Sequence, residues 1–211
     1  MKLKFLISLF TTIISLNLTA QFKGLEYGIK AGINVSSVNE TGNSWRYNYR
    51  SLIGGVGGAF VTLPISHNFF IQPELLYTQM GFQNKYNEPF SENYPNNYNV
   101  MNHLSYLNIS ILAKYKIMKT KISVLAGPQI GFLLSANEKA TGYYSLDVKS
   151  DYKNSDFSGV FGVEYTLPYS FIVSARYQLG LLNTNLNSYI TDKNRALAFT
   201  LAYGFGKKKR K

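Results

Sequence analysis

From residue 24 onward, apolar and polar side chains alternate with period two, and eight segments carry the pattern. Residues 24–36 put Leu25, Tyr27, Ile29, Ala31, Ile33 and Val35 on one face, with Glu26, Gly28, Lys30, Gly32 and Asn34 on the other. Residues 104–117 set Leu107, Ile109, Ile111, Ala113, Tyr115 and Ile117 against Tyr106, Asn108, Ser110, Lys114 and Lys116. Segments 170–181 and 195–205 alternate as cleanly, and 68–81, 121–134 and 157–167 follow the same rule. In 51–63 the glycines at 54, 55, 57 and 58 blur which face is which. Alternation of this length predicts strands with one apolar and one polar or small face. Pro73 and Pro128 fall inside two of them, where a bulge or a lost ladder bond is expected.

The connections alternate in length. Residues 64–67, 118–120 and 168–169 are tight, whereas 37–50, 82–103, 135–156 and 182–194 are long and polar. Short turns at one end and long loops at the other predict an all-β fold. It is an eight-stranded antiparallel up-and-down transmembrane β-barrel with short periplasmic turns and long extracellular loops. The competing reading is a soluble barrel whose apolar face surrounds a ligand. Two features favour the membrane. The polar faces are mostly Gly, Ser, Thr, Asn and Gln, thin in charge for a solvated surface. The apolar faces end in Tyr27, Tyr77, Tyr115, Tyr165, Phe171 and Phe205, as an interfacial girdle requires.

The first twenty residues break the pattern. Lys2 and Lys4 precede an apolar run from Phe5 to Leu16, and Thr19-Ala20 offers a cleavage site. This is the layout of a secretory signal peptide, too short for a membrane helix because Asn17 ends the run. The expected organisation is a signal peptide at 1–20, a barrel domain at 21–206 and a basic tail at 207–211. Removing the leader takes away Lys2 and Lys4, so the formal charge falls from +11 to 11 − 2 = +9. Five of the remaining positive charges form the terminal run Lys207 to Lys211, which would attract anionic head groups. Export leaves nucleic acid out as a partner. With no cysteine, disulfide scaffolds, thiolate zinc sites, cysteine nucleophiles and cysteine-anchored lipoproteins are excluded.

Several motifs resemble a known family. They are Gly28-Ile29-Lys30-Ala31-Gly32-Ile33-Asn34, Gln72-Pro73-Glu74-Leu75-Leu76-Tyr77 and the run from Tyr106 to Tyr115. Ala126-Gly127-Pro128, Gly162-Val163-Glu164-Tyr165, the run from Ala175 to Leu181 and the closing Leu201-Ala202-Tyr203-Gly204-Phe205 fit as well. Together they are similar to the PorT-like outer-membrane β-barrel family over residues 22–206. The resemblance implies an eight-stranded outer-membrane barrel of a Gram-negative bacterium with both termini in the periplasm. The family takes its name from a member linked to protein secretion. Such barrels usually stop at an aromatic residue, whereas here a basic tail follows Phe205.

An eight-stranded barrel has an interior just filled by side chains. The inward candidates are Glu26, Lys30, Glu74, Lys114, Lys116, Glu164 and Arg176. Buried charges must pair, because a stranded one costs several kcal/mol. The expectation is therefore a polar network that plugs the lumen. In it Arg176 bridges Glu74 and Glu164, and Glu164 with Arg176 is the foremost pair because a tight turn joins their strands. The competing reading makes the same residues a narrow conduit. Catalysis finds little support: His67 sits in a short turn, and His103, near Ser105 and Glu92, is not positioned by the sequence as a general base. No cofactor or metal site is expected. Tyr86, Phe90, Tyr94 and Tyr98, set among asparagines in the second long loop, form a candidate recognition surface. The expected role is structural or binding, with no enzymatic activity. The alternatives are an accessory component of a secretion or envelope-assembly complex and a lipid-A-modifying enzyme. Expected partners are outer-membrane lipid, the barrel-assembly machinery during biogenesis and an envelope protein.

Overall fold

The computed structural model describes residues 24–41, 49–86, 98–140, 144–186 and 191–205. Among the described residues nine strands form in chain order: β1 (Glu26–Thr41), β2 (Tyr49–Pro64), β3 (Phe69–Tyr86), β4 (Tyr98–Lys116) and β5 (Ile122–Ala140), followed by β6 (Tyr144–Asp147), β7 (Ser155–Thr166), β8 (Phe171–Gly180) and β9 (Thr191–Phe205). Every pairing is antiparallel. The order β4-β3-β2-β1-β9-β8-β7-β5 closes through β4–β5, and β6 adds only to the far end of β5. Eight strands thus make the ring.

The register fixes the ring's dimensions. From Gly28 it passes through Phe60, Glu74, Ser110, Gln129, Ser158 and Gly180. One step past the last β8–β9 pair it reaches Asn194, which faces Val38 on β1. One circuit therefore shifts the chain by 38 − 28 = 10 residues. Eight strands with that stagger tilt about 40° and enclose a Cα radius of about 8 Å.

The outer face is a sharply bounded apolar band. On β1 it runs from Tyr27 to Val35, on β4 from Tyr115 to Leu107 and on β9 from Phe205 to Leu197, with these end residues exposed or half-buried. Above it stand Ser37, Ser105 and Arg195. Nine residues span about 26 Å of strand, or about 20 Å along the axis at that tilt, before side chains are added. That approaches the apolar height of roughly 25 Å of membrane barrels. At the short-turn end Tyr27 stacks on Phe205 with centroids 5.7 Å apart, while Tyr203 meets both Phe171 and Phe205 edge-on. Tyr77, expected in such a rim, lies nearer the other boundary of the band, paired with Leu107.

The strands outrun the predicted segments at the long-loop end. β1 continues to Thr41, β3 to Tyr86, and β4 starts at Tyr98. These extensions pair through their backbones without an apolar outer face, so their side chains carry no period-two signal. Both prolines interrupt the ladder to one neighbour without shifting it. The β2–β3 register resumes unchanged on either side of Pro73, and the β4–β5 register on either side of Pro128. The register shifts lie elsewhere: in β2 between Ser51 and Val56, and in β5 between Leu133 and Ser135, opposite Tyr106 and Ser105. Beside the β2 shift the β1 side chains take over bonds that a regular ladder would supply: Asn34 Nδ2 donates to the Gln79 carbonyl at 3.0 Å, and Ser36 Oγ accepts from the Gly81 N–H at 2.8 Å. The β2 shift explains why the glycines of that strand obscure its facing.

Candidate functional site

Inward positions alternate with the lipid-facing band, so the same strands carry the polar groups into the interior. Lys30 (β1), Glu74 and Gln72 (β3), Lys114 (β4), Glu164 (β7) and Arg176 (β8) all point there and are buried. They meet in one layer. Arg176 spreads its guanidinium between two carboxylates, with Nη1 2.5 Å from Glu74 Oε2 and Nη2 2.6 Å from Glu164 Oε1. Lys30 Nζ lies 2.8 Å from Glu74 and 3.7 Å from Glu164, and Lys114 Nζ lies 2.6 Å from Glu164.

Gln72 ties the pairs together. Its amide donates to Glu74 at 2.7 Å, while its carbonyl oxygen accepts from Lys114 at 3.1 Å and from the Thr62 hydroxyl at 3.0 Å. The layer rests on an apolar floor of Phe60, Ile172 and Ala202, and Lys30 Nζ sits 5.0 Å from the centre of the Phe60 ring. A cation over an aromatic face gains further electrostatic support away from water. Gly162 makes the arrangement possible, because a Cβ there would stand 2.8 Å from Arg176 Cγ on the paired strand.

Five of the seven interior candidates meet in this way, and two sit apart. Lys116 is exposed. β4 ends at that residue, so its side chain projects past the rim and is solvated rather than drawn into the lumen. Glu26 is half-buried near the short-turn end, against Gly204 and below the charged layer. Of the loop aromatics, Tyr86 and Tyr98 are the terminal residues of β3 and β4 and pair with each other. Phe90 and Tyr94 lie outside the described residues, as do Glu92, the leader 1–20 and the tail 207–211. His103 is no loop residue: it sits within β4, paired with Gly81, and the Ser105 Oγ two positions on accepts a hydrogen bond from the Tyr77 hydroxyl at 3.0 Å. His67 is exposed in the β2–β3 turn.

A second interior layer leaves little trace in the sequence. Toward the long-loop end Val38, Met80, Phe82, Leu104, Tyr106, Leu133, Ala136 and Ala196 pack together, and Val148 and Tyr152 rest on them from the β6–β7 connection. That connection is strapped to the β8–β9 connection. Tyr152 bridges to Asn185, the Lys153 N–H donates to the Thr184 carbonyl at 2.8 Å, and the Leu186 N–H donates to the Asp151 carbonyl at 3.1 Å. Burial holds the Tyr152 phenol above its ordinary range, and the charge of Asp192 adds to the effect. The sequence signal for this layer is weak, because an apolar residue on a polar face reads as a break in the alternation.

A closed antiparallel ring with an apolar outer band and ion pairs within defines a membrane-spanning β-barrel. The chain belongs to the outer membrane protein beta-barrel domain family, whose model matches residues 17–186. The protein is thus an outer-membrane barrel seated in the lipid bilayer, its short turns on the periplasmic side. Among solved structures it is similar to Neisserial surface protein A, at 11% identity and a TM-score of 0.51 over 86% of this chain and 99% of that one. The attachment invasion locus protein Ail of Yersinia pestis, crystallised with the heparin analogue sucrose octasulfate, gives 15% identity and a TM-score of 0.49 over 86% and 99%. OprG from Pseudomonas aeruginosa gives 10% and 0.41 over 85% and 95%. No curated protein sequence matches the chain.

Proposed function

We propose that this protein serves a structural or binding role in the outer membrane, with a lumen closed to conduction and no catalytic chemistry. The observation that carries the reading is the charged layer, in which Arg176 and two lysines engage Glu74 and Glu164 across a ring of about 8 Å radius. Side chains locked by several charge-assisted bonds each leave no continuous aqueous path. Against catalysis, the Ser105 hydroxyl accepts from Tyr77, and His67 is exposed in a turn. Residues 1–20 act as the export signal in this reading, and Tyr86 and Tyr98 at the paired ends of β3 and β4, with Phe90 and Tyr94 between them in sequence, provide recognition.

Planar-bilayer recording tests the closed lumen. The wild-type barrel is expected to give no discrete conductance, and stepwise currents that vanish on boiling would overturn the reading. The narrower kinship with PorT-like barrels, carried by the motifs at 72–77, 106–115 and 175–181, favours one second role: accessory component of a secretion or assembly complex. Co-purification of a stoichiometric envelope protein from detergent-solubilised membranes would move the assignment there.

A further inference from the structure

The charged layer is not neutral. Lys30, Lys114 and Arg176 face Glu74 and Glu164, so the layer's own formal charge is 3 − 2 = +1, with the inward carboxylates of Glu26 and Asp156 below and above it. Directly above it lies a cavity of about 40 Å³. Its wall holds one charged residue, Arg176, and no carboxylate. The polar remainder is Asn34, Thr78, Asn108, Gln129 and Gln178.

These groups offer donors. Arg176 Nε is buried and makes no hydrogen bond. Asn34 and Gln129 each spend an amide hydrogen, on the Gln79 carbonyl and the Ser158 hydroxyl, and retain a second. The Thr78 hydroxyl oxygen accepts from Asn108 Nδ2 at 3.0 Å, which leaves its own proton to donate. A buried donor left without a partner is costly, and a bound anion relieves it. A water needs about 10–15 Å³ of such space, so the cavity suits one small ion or a few waters and excludes a sugar or lipid head group. We propose that this cavity is an anion site that holds a single halide-sized ion against Arg176, giving its Nε the acceptor it lacks.

The test uses the full mature barrel folded in detergent. Its urea-unfolding midpoint is measured at constant ionic strength in chloride, bromide and gluconate. Chloride and bromide are expected to raise the midpoint saturably over gluconate, as a ligand of the folded state must. Crystals grown in bromide should show an anomalous peak in the cavity beside Arg176. Ala198→Leu fills the cavity from its wall and should abolish the halide response. Equal midpoints in all three salts, water alone in the bromide map, or a halide response that survives Ala198→Leu would each overturn the site. Should that variant not fold, the bromide map of the unaltered barrel decides.

Discussion

Arg176 and Glu74 stand 102 residues apart in the chain, yet their side chains meet inside the barrel, Nη1 to Oε2. The contact depends on ring closure, since β3 and β8 share no edge and face each other only across the lumen. It also sets the interior apart from the wall. The wall is held by backbone ladders between neighbours, whereas this layer links β1, β3, β4, β7 and β8 through side chains alone.

Arg176→Leu strands two buried carboxylates that lose their shared cation. Removing one partner of a buried pair costs about 3–5 kcal/mol. The variant should unfold in urea at a clearly lower midpoint in detergent micelles, and Arg176→Lys should recover only part, since an ammonium cannot fork between both acids. A midpoint equal to wild type for Arg176→Leu would show that the layer adds nothing to stability.

Gly162→Val drives a branched side chain into Arg176 Cγ on the paired strand. Overpacking of this kind costs about 1–3 kcal/mol. Equilibrium unfolding checks the size. Combining Gly162→Val with Arg176→Ala should cost less than the two separate losses added together, because alanine has no Cγ to meet the new side chain, although the contact with the Ala175 carbonyl oxygen remains.

The position of the bilayer predicts a contrast on the outer face. Leu201 is exposed in the middle of the apolar band, whereas Ser37 stands just above it. Leu201→Arg should cost about 2–4 kcal/mol and Ser37→Arg about 0–1. Folding free energies measured in lipid vesicles decide this, and equal costs would place the band elsewhere.

Ser36→Ala removes the acceptor of the Gly81 N–H and the donor to the Gly81 carbonyl at 3.0 Å. A buried backbone group left unsatisfied costs about 1–3 kcal/mol. Amide hydrogen exchange at Gly81 should accelerate, with the β8–β9 ladder unchanged.

Tyr152 supplies a pH dependence in the extracellular strap. Its phenol is raised in the folded state, so the neutral form is favoured there. The contribution is fully present below the ordinary tyrosine value of about 10 and is lost as pH rises through the higher folded value. Protection of the Lys153 and Leu186 amides, measured against their intrinsic exchange rates at each pH, should fall at strongly alkaline pH in the wild type. In Tyr152→Phe, which has no proton to lose, that alkaline step should be absent.

The outer face was legible residue by residue because lipid demands an unbroken apolar set on one side of each strand, and period-two alternation is its direct imprint. Eight segments, the short and long connections and the rim aromatics Tyr27, Tyr115, Tyr165, Phe171 and Phe205 follow from that demand. Inwardness was equally readable for Lys30, Glu74, Lys114, Glu164 and Arg176, since a charged side chain within such a strand has only the lumen to enter. Lys116 shows where the rule stops, because alternation says nothing about where the wall ends.

What the tertiary structure alone decided is everything that depends on the stagger of the strands. A shift of ten residues per circuit sets which inward groups share a height: Gln72 with Lys114, Arg176 with Glu74, and Val148 and Tyr152 over Tyr106. Stagger is a property of the closed ring, summed over eight pairings, and local pattern carries no record of that sum. The sequence determined which side of the wall each residue occupies, through solvation; ring closure determined its neighbours there, through geometry.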